Sequence, residues 1–129
     1  MSWYKNRVEA PGEVIREIVV ADDGAGFGVA DADIAESRPH YHTKTEELYV
    51  LLSGKLEVFL GTATREVLEQ PLQTLRIPLH TLHWARSIGN VPARVLVVTL
   101  PVWVMTDHHL VESVDLRGRF FAVSFLCVS

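Results

Sequence analysis

The sequence lacks several features that would place it in whole classes of protein. Cys127 is its single cysteine in 129 residues, so no intrachain disulfide can form, and we expect a reducing, cytoplasmic location. Its 12 lysines and arginines stand against 16 acidic residues, and the net charge of −4 provides no field that would hold nucleic acid. No run approaches the ~20 apolar residues of a membrane helix. The N-terminus also lacks the apolar core of a secretory signal.

Several common catalytic motifs are absent as well. There is no G-x-S-x-G elbow, phosphate-binding loop or cysteine pair, so serine hydrolysis, nucleotide hydrolysis and thiol redox chemistry have no motif here. The glycines of segment 24–28 fail the dinucleotide fingerprint because Val29 stands at its third glycine, and they predict a turn into a strand. Asp107-His108-His109 is similar to a phosphoesterase signature, but the further aspartate motifs of those enzymes are missing.

What the sequence does contain predicts one folded domain over residues 1–129. Hydrophobic residues make up 48% of the chain and charged residues 22%, a balance that can bury a core. Short β-branched and aromatic runs recur between turn formers, and little follows the helical period of 3.6 residues, so an all-β fold is predicted. We place the barrel core at about 14–100 and a closing segment with a terminal strand at 101–129.

The predicted strands are short and closely spaced. They are 14–20, 26–34, 48–53, 55–60, 75–78, 82–88, 93–100 and 120–126, and residues 107–112 are predicted as a helical turn or a loop. No crossover helix is predicted between the first seven strands, because little follows the helical period, and this favours a sandwich or barrel.

Two predicted strands are apolar on both faces. The runs 48–52 and 95–98 do not alternate between apolar and polar residues. Both faces of such a strand need cover, and a second subunit or a terminal segment of the same chain would provide it. The first of these alternatives predicts a homodimer.

The six histidines fall in three pairs: His40 and His42, His80 and His83, His108 and His109. Residues i and i+2 of a strand share a face, so His40 and His42 would place two imidazoles side by side, about 7 Å apart along the chain. Glu47 can return a carboxylate to the same centre, and segment 77–83 offers a further imidazole. Such a mixed nitrogen and oxygen set suits Fe, Mn, Ni, Zn or Cu as a divalent ion.

These residues resemble the motifs of the cupin superfamily. In segment 39–54, PHYHTKTEELYVLLSG, a histidine pair is followed after four residues by Glu47 and after six more by Gly54, as in the first cupin motif. Segment 78–83, PLHTLH, followed by Gly89-Asn90, is a looser match to the second motif, with His80 in place of a glycine. The resemblance covers roughly 38–100 and implies a single-domain jelly-roll β-barrel. It also implies His40, His42, Glu47 and His83 as metal ligands.

Several side chains have alternative interpretations. Glu46 could be the carboxylate ligand in place of Glu47, although it should point to the opposite face. His80 could serve only a turn or could line the pocket, and Tyr49 could line the barrel as core. We take His80 and Tyr49 as the candidate catalytic residues for proton transfer. Arg76 and Arg94 would hold an anionic substrate if they faced the pocket.

Two functions are compatible with these residues. The first is a metal-dependent enzyme acting on a small polar organic molecule by dioxygenase, isomerase or lyase chemistry. The second is a non-catalytic cupin that binds or senses a small ligand and holds a structural metal. The fold implied by the resemblance hosts many functions and does not separate them.

Overall fold

The computed structural model describes residues 3–114 and 120–126, and the side chains of residues 3–111; Cys127 lies outside this range. The strands are β1 (Asn6–Ala10), β2 (Glu13–Val19), β3 (Gly28–Ile34), β4 (His40–Tyr41), β5 (Glu46–Ser53), β6 (Leu56–Leu60), β7 (Thr64–Leu68), β8 (Thr74–Ile77), β9 (His83–Ser87), β10 (Ala93–Leu100), β11 (His109–Val114) and β12 (Phe120–Leu126). Short 3-10 turns cover Ala21–Asp23 and Met105–Asp107. In the described ranges, no helix is long and apolar enough to cross a membrane.

The strands form two six-stranded antiparallel sheets. The first sheet has the order β1-β2-β3-β10-β5-β8, and the second has the order β12-β11-β4-β9-β6-β7. Strands that are distant in sequence become neighbours, as when β10 pairs with both β3 and β5. This arrangement confirms the all-β prediction.

The structure also contains strands that the sequence pattern did not predict. β1, β4 and β7 were not predicted, and residues 109–112 of the segment predicted as a helical turn or loop belong to β11. β11 is a strand because His109 and Leu110 pair with Tyr41 and His40 of β4, a contact that local sequence does not encode. Three strands, β1, β11 and β12, lie outside the predicted core limits of 14 and 100.

The core lies between the two sheets. Alternate residues of each strand point inward, as the period of two requires. Tyr49, Leu51 and Val95 of the first sheet meet Leu56 and Val58 of the second, and all are at least 96% buried. The four predicted ligands lie in this same inter-sheet space, toward one end of the core.

Candidate metal centre

Both sheets contribute to the candidate metal centre. His40 lies on β4, opposite His83 on β9, and these two residues are register partners in the second sheet. Glu47 lies on β5 of the first sheet, opposite Ile77. His42 follows β4 directly, and its ring centroid lies 5.1 Å from that of His40. The packing of the sheets therefore brings together the residues that their sequence spacing indicates.

The three imidazoles are held by the same kind of hydrogen bond to the backbone. Each uses Nδ1 to donate to a carbonyl oxygen: His40 to Arg38 at 2.7 Å, His42 to Asp107 at 2.8 Å and His83 to Thr81 at 2.8 Å. A carbonyl oxygen only accepts, so Nδ1 must carry a proton, and in the neutral ring Nε2 is left with a lone pair. All three rings are thus prepared to bind a positive charge through Nε2.

The lone pairs converge on one carboxylate. Glu47 Oε1 lies 3.0 Å from Nε2 of His83 and 3.1 Å from Nε2 of His42. The latter nitrogen is buried, and it forms no hydrogen bond of acceptable geometry among the described residues. Acceptor atoms this close repel one another unless a proton or a metal ion lies between them. One ligand atom from each of His40, His42, Glu47 and His83 lies within 4.8 Å of the others, so the group fits a metal ion.

The electrostatics of the centre also favour a cation. Burial opposes ionisation of Glu47, but His42 and His83 outweigh it and hold the pKa of this carboxyl well below its ordinary value. Burial, reinforced by His83, lowers the pKa of His40 well below its ordinary value. The pKa of His42 is raised, because the attraction of Glu47 outweighs burial. The ionised carboxylate of Glu47 and the neutral ring of His40 are thus in the state that metal binding requires, whereas His42 would release its second proton when a metal binds.

A cavity of about 100 Å³ adjoins the centre. It is lined by His40, His42 and Glu47, by Tyr49, and by side chains from other elements. A second cavity of about 240 Å³ adjoins the first, and the two share Val8, Glu13, Ile15, Trp103 and His108. None of the four candidate ligands lines the second cavity, so the shared side chains connect it to the cavity at the centre.

His108 is a functional candidate that the sequence analysis missed. Its ring stacks on that of His40, with the centroids 4.3 Å apart and the planes at 16°. Burial, together with the nearby His42, lowers the pKa of His108 to about 4, so its imidazole is neutral near pH 7. A neutral ring at the edge of the cavity can donate or accept a hydrogen bond from a bound molecule.

Glu13 is a second missed residue, and it has an unusual environment. It lies on the inward face of β2 and lines both cavities. Its carboxyl has no hydrogen bond or ion pair within the described part of the chain. Burial and, to a smaller extent, repulsion from Glu47 raise the pKa of Glu13 from 4.5 to about 7. The period of two along β2 could have indicated that residues 13, 15 and 17 share a face, but not which face is inward.

Replacing Glu13 with glutamine should stabilise the metal-free protein at high pH. An acid whose pKa rises on folding destabilises the folded state once it ionises, so the wild type loses stability relative to Glu13→Gln between pH 4.5 and about 7. The difference should reach at most about 3 kcal/mol and stay constant at higher pH. Urea unfolding at pH 4.5, 6 and 8 measures it. Glu66→Gln, on an exposed strand, is the control, and parallel curves for wild type and Glu13→Gln would contradict the prediction.

The other predicted residues lie at different distances from the centre. Tyr49 lines the cavity, and its ring meets that of His83 edge-on, with the centroids 6.4 Å apart. Glu46 points away from the centre and pairs with Arg76. His80 is exposed and is not among the described residues that line either cavity. Its φ of 61° lies in the region where a glycine is usual, and its N–H donates to His42 O at 2.7 Å.

Arg76 and Arg94 do not face the cavity. Arg94 forms an ion pair with Asp31 at 2.8 Å on the outer face of the first sheet, and Arg76 pairs with Glu46. Neither arginine is among the described residues that line the two cavities. Arg76 and Arg94 would hold an anionic substrate only if they faced the pocket, and in the structure they do not.

Comparison with known proteins supports the same fold. No family model matches the sequence. An uncharacterized protein of Methanocaldococcus jannaschii is 28% identical over 113 residues, which covers 84% of this chain and 89% of that protein. The Cnp3 cupin domain of Schizosaccharomyces pombe superimposes with a TM-score of 0.63 at 14% identity, covering 75% of this chain and 69% of that one. The chain has the cupin fold.

An enzyme is also similar in fold to this chain. Ectoine synthase from P. lautus superimposes with a TM-score of 0.66 at 17% identity, covering 76% of this chain and 70% of that one. At such low identity, the likeness describes the fold of this chain and leaves its activity to be argued from its own site.

Proposed function

We propose that this cupin is a metal-dependent enzyme that acts on a small polar organic molecule. His40, His42, Glu47 and His83 would hold one divalent transition metal ion. The observation that carries the proposal is the convergence of acceptor atoms, since Glu47 Oε1 lies within 3.1 Å of two imidazole nitrogens whose protons are on the other side of the ring. Such a group at the wall of a cavity is suited to bind a metal and an organic ligand together.

The bound ion would supply Lewis acidity toward an oxygen atom of the organic molecule. The protein side chains would bind and orient that molecule. Burial and the charge of Glu47 raise the pKa of Tyr49 well above 10, so its hydroxyl would act as a hydrogen-bond donor. Glu13 is the better candidate for moving a proton, because its pKa is about 7 and its carboxyl lines the cavity. This carboxyl favours isomerase or lyase chemistry, with dioxygenase chemistry as the alternative.

His80 is a weaker candidate for proton transfer than Glu13. Its side chain is exposed, whereas its backbone N–H supports His42. A role for the His80 side chain in proton transfer stays a prediction. The same holds for the cytoplasmic location and for the choice among Fe, Mn, Ni, Zn and Cu.

Metal analysis of the protein purified without a histidine tag tests the proposal. We expect about one ion per chain, loss of the ion in His40→Ala, and retention in the control His80→Asn, whose asparagine tolerates positive φ. Ligand binding is then followed with a panel of sugars, keto acids and catechols, with product analysis and oxygen monitoring. Turnover of one compound supports the enzyme, and binding without turnover favours the sensing cupin. An equal, substoichiometric metal content in wild type and His40→Ala would overturn both.

We also propose that this cupin forms a homodimer through the outer face of the first sheet. Leu48 and Val50 of β5 are register partners of Val98 and Leu96 of β10, and all four are only partly buried in the single chain. A second copy would cover this apolar patch. Sedimentation velocity should give a dimer for the wild type and a monomer for Val50→Lys. A monomeric wild type at micromolar concentration would refute this interface.

A further inference from the structure

Asp107 is a buried acid that binds a distant loop. It lies at the end of the turn Met105–Asp107, after the last strand of the first sheet, and it is 1% exposed. Its carboxylate accepts four hydrogen bonds from three consecutive residues: Thr43 N at 2.8 Å, Thr43 Oγ1 at 2.7 Å, Lys44 N at 2.9 Å and Thr45 N at 2.9 Å. His109 Nε2 lies 3.5 Å from the same carboxylate.

The loop held in this way connects two of the candidate ligands. Residues 43–45 lie between His42 and Glu47, so their backbone conformation fixes the spacing of these two side chains. Asp107 also acts on His42 directly, because its own carbonyl oxygen accepts the Nδ1–H of that ring at 2.8 Å. One residue therefore fixes the path of the loop and the orientation of one imidazole.

We propose that Asp107 is a positioning residue for the metal centre, and this inference rests on the proposed function. It binds the loop through its side chain and His42 through its backbone, and it contacts no ligand atom of the cluster. Outer partners of this kind orient metal ligands and raise their basicity. The segment Asp107-His108-His109, similar in sequence to a phosphoesterase signature, acts here as part of a cupin site, with His108 at the cavity and Asp107 behind the ligands.

The energetics of the carboxylate agree with this role. Burial opposes its ionisation, but the hydrogen bonds from Thr43 and Lys44 outweigh burial and lower the pKa of Asp107 to about 2. The side chain is therefore an anion at physiological pH, and each of its oxygens faces two donors. An asparagine of the same size would turn its NH2 group toward one pair of donors, and each pair includes at least one backbone N–H that cannot accept a hydrogen bond.

Asp31 provides a matched control. It is buried to nearly the same extent, at 2% exposed, and its carboxylate binds Arg16 and Arg94 on the outer face of the first sheet. Removing this charge should destabilise the fold without changing the metal centre. A difference between Asp107→Asn and Asp31→Asn in metal affinity therefore separates positioning from general stability.

The test is a chelator competition for Zn²⁺ at a temperature where both variants are folded. We expect Asp107→Asn to bind Zn²⁺ about 10- to 100-fold more weakly than the wild type. Asp31→Asn should remain within about twofold of the wild type although its melting temperature falls. The visible absorption bands of bound Co²⁺ should shift in Asp107→Asn and not in Asp31→Asn. Unchanged Zn²⁺ affinity and Co²⁺ bands in Asp107→Asn would overturn the inference while leaving the metal centre intact.

A second variant decides the case if Asp107→Asn does not fold. Thr43→Val removes a single donor, Oγ1–H, and keeps the size of the side chain. We expect a loss of Zn²⁺ affinity of about threefold, because one of the four hydrogen bonds to the Asp107 carboxylate is lost and the three from backbone N–H groups remain. An unchanged affinity in Thr43→Val would refute the positioning role. A wild type that binds no Zn²⁺ would instead refute the proposed function itself.

Discussion

Replacing Glu47 with glutamine should abolish tight binding of a divalent metal while leaving the chain folded. Glutamine keeps the size of the side chain but removes the negative charge that lies within 3.1 Å of two imidazole nitrogens. Loss of a direct charged ligand should cost more than the 10- to 100-fold typical of outer partners, so we expect a loss of affinity of about 100-fold or more. Chelator competition and elemental analysis measure it.

The neighbouring glutamate is the control for this experiment. Glu46 differs from Glu47 by one position in the strand, and its carboxylate pairs with Arg76 on the outside. An exposed pair contributes about 0–1 kcal/mol, so Glu46→Gln should leave both fold and metal content unchanged. A reversed result, with Glu46→Gln losing the metal and Glu47→Gln retaining it, would show that the strand faces opposite to the described one and would refute the centre.

Replacing Gly12 with alanine should strongly destabilise the fold. Gly12 forms the turn between β1 and β2 with a φ of +78°, and an added Cβ would lie 2.0 Å from the carbonyl oxygen of Glu36. Backbone cannot yield as a flexible side chain does, and Gly12 O also accepts hydrogen bonds from Ala35 N and Glu36 N. We expect a loss of about 3 kcal/mol or more, the sum of a left-handed penalty and a backbone clash, as measured by urea unfolding.

The variant Gly24→Ala separates the left-handed penalty from the backbone clash. Its φ of +71° is similar, but an added Cβ would meet nothing within 4 Å. Gly24→Ala should therefore lose only the left-handed penalty of about 1–2 kcal/mol. Equal losses in the two variants would contradict the packing of the β1–β2 turn against Glu36. Because β1 and β2 carry Val8 and Glu13 to the cavities, we also expect Gly12→Ala to weaken ligand binding.

The parts of the fold that the sequence predicts are those with a strong local signal. The strands β3, β5 and β10 are rich in β-branched or apolar residues, and their predicted limits agree with the structure to within two residues. β1 and β7 carry charged residues in sequences such as NRVEA and TREVL, so their pattern is weak. β4 has only two residues and exists because β9 and β11 pair with it. Pairing between distant segments is the information that local pattern lacks.

The same distinction applies to the candidate centre. His40, His42 and Glu47 lie close in sequence, and their spacing together with a family motif is enough to indicate them. Asp107 and His108 reach the centre from a segment distant from the first motif, with 65 residues of separation between His42 and Asp107. Glu13 becomes a candidate only because the folded structure buries its carboxyl beside the cavity. Such residues become visible only once the sheets are packed.

The division of the candidate ligands between the sheets would give a bound metal ion a mechanical role. His40 and His83 belong to one sheet and Glu47 to the other, so a bound ion would cross-link the two halves of the sandwich. The sheets could not separate without breaking at least one bond to the ion, and the ion could not leave easily while they stay together. Release of the metal to a chelator and global unfolding should then share one rate-limiting opening of the sandwich.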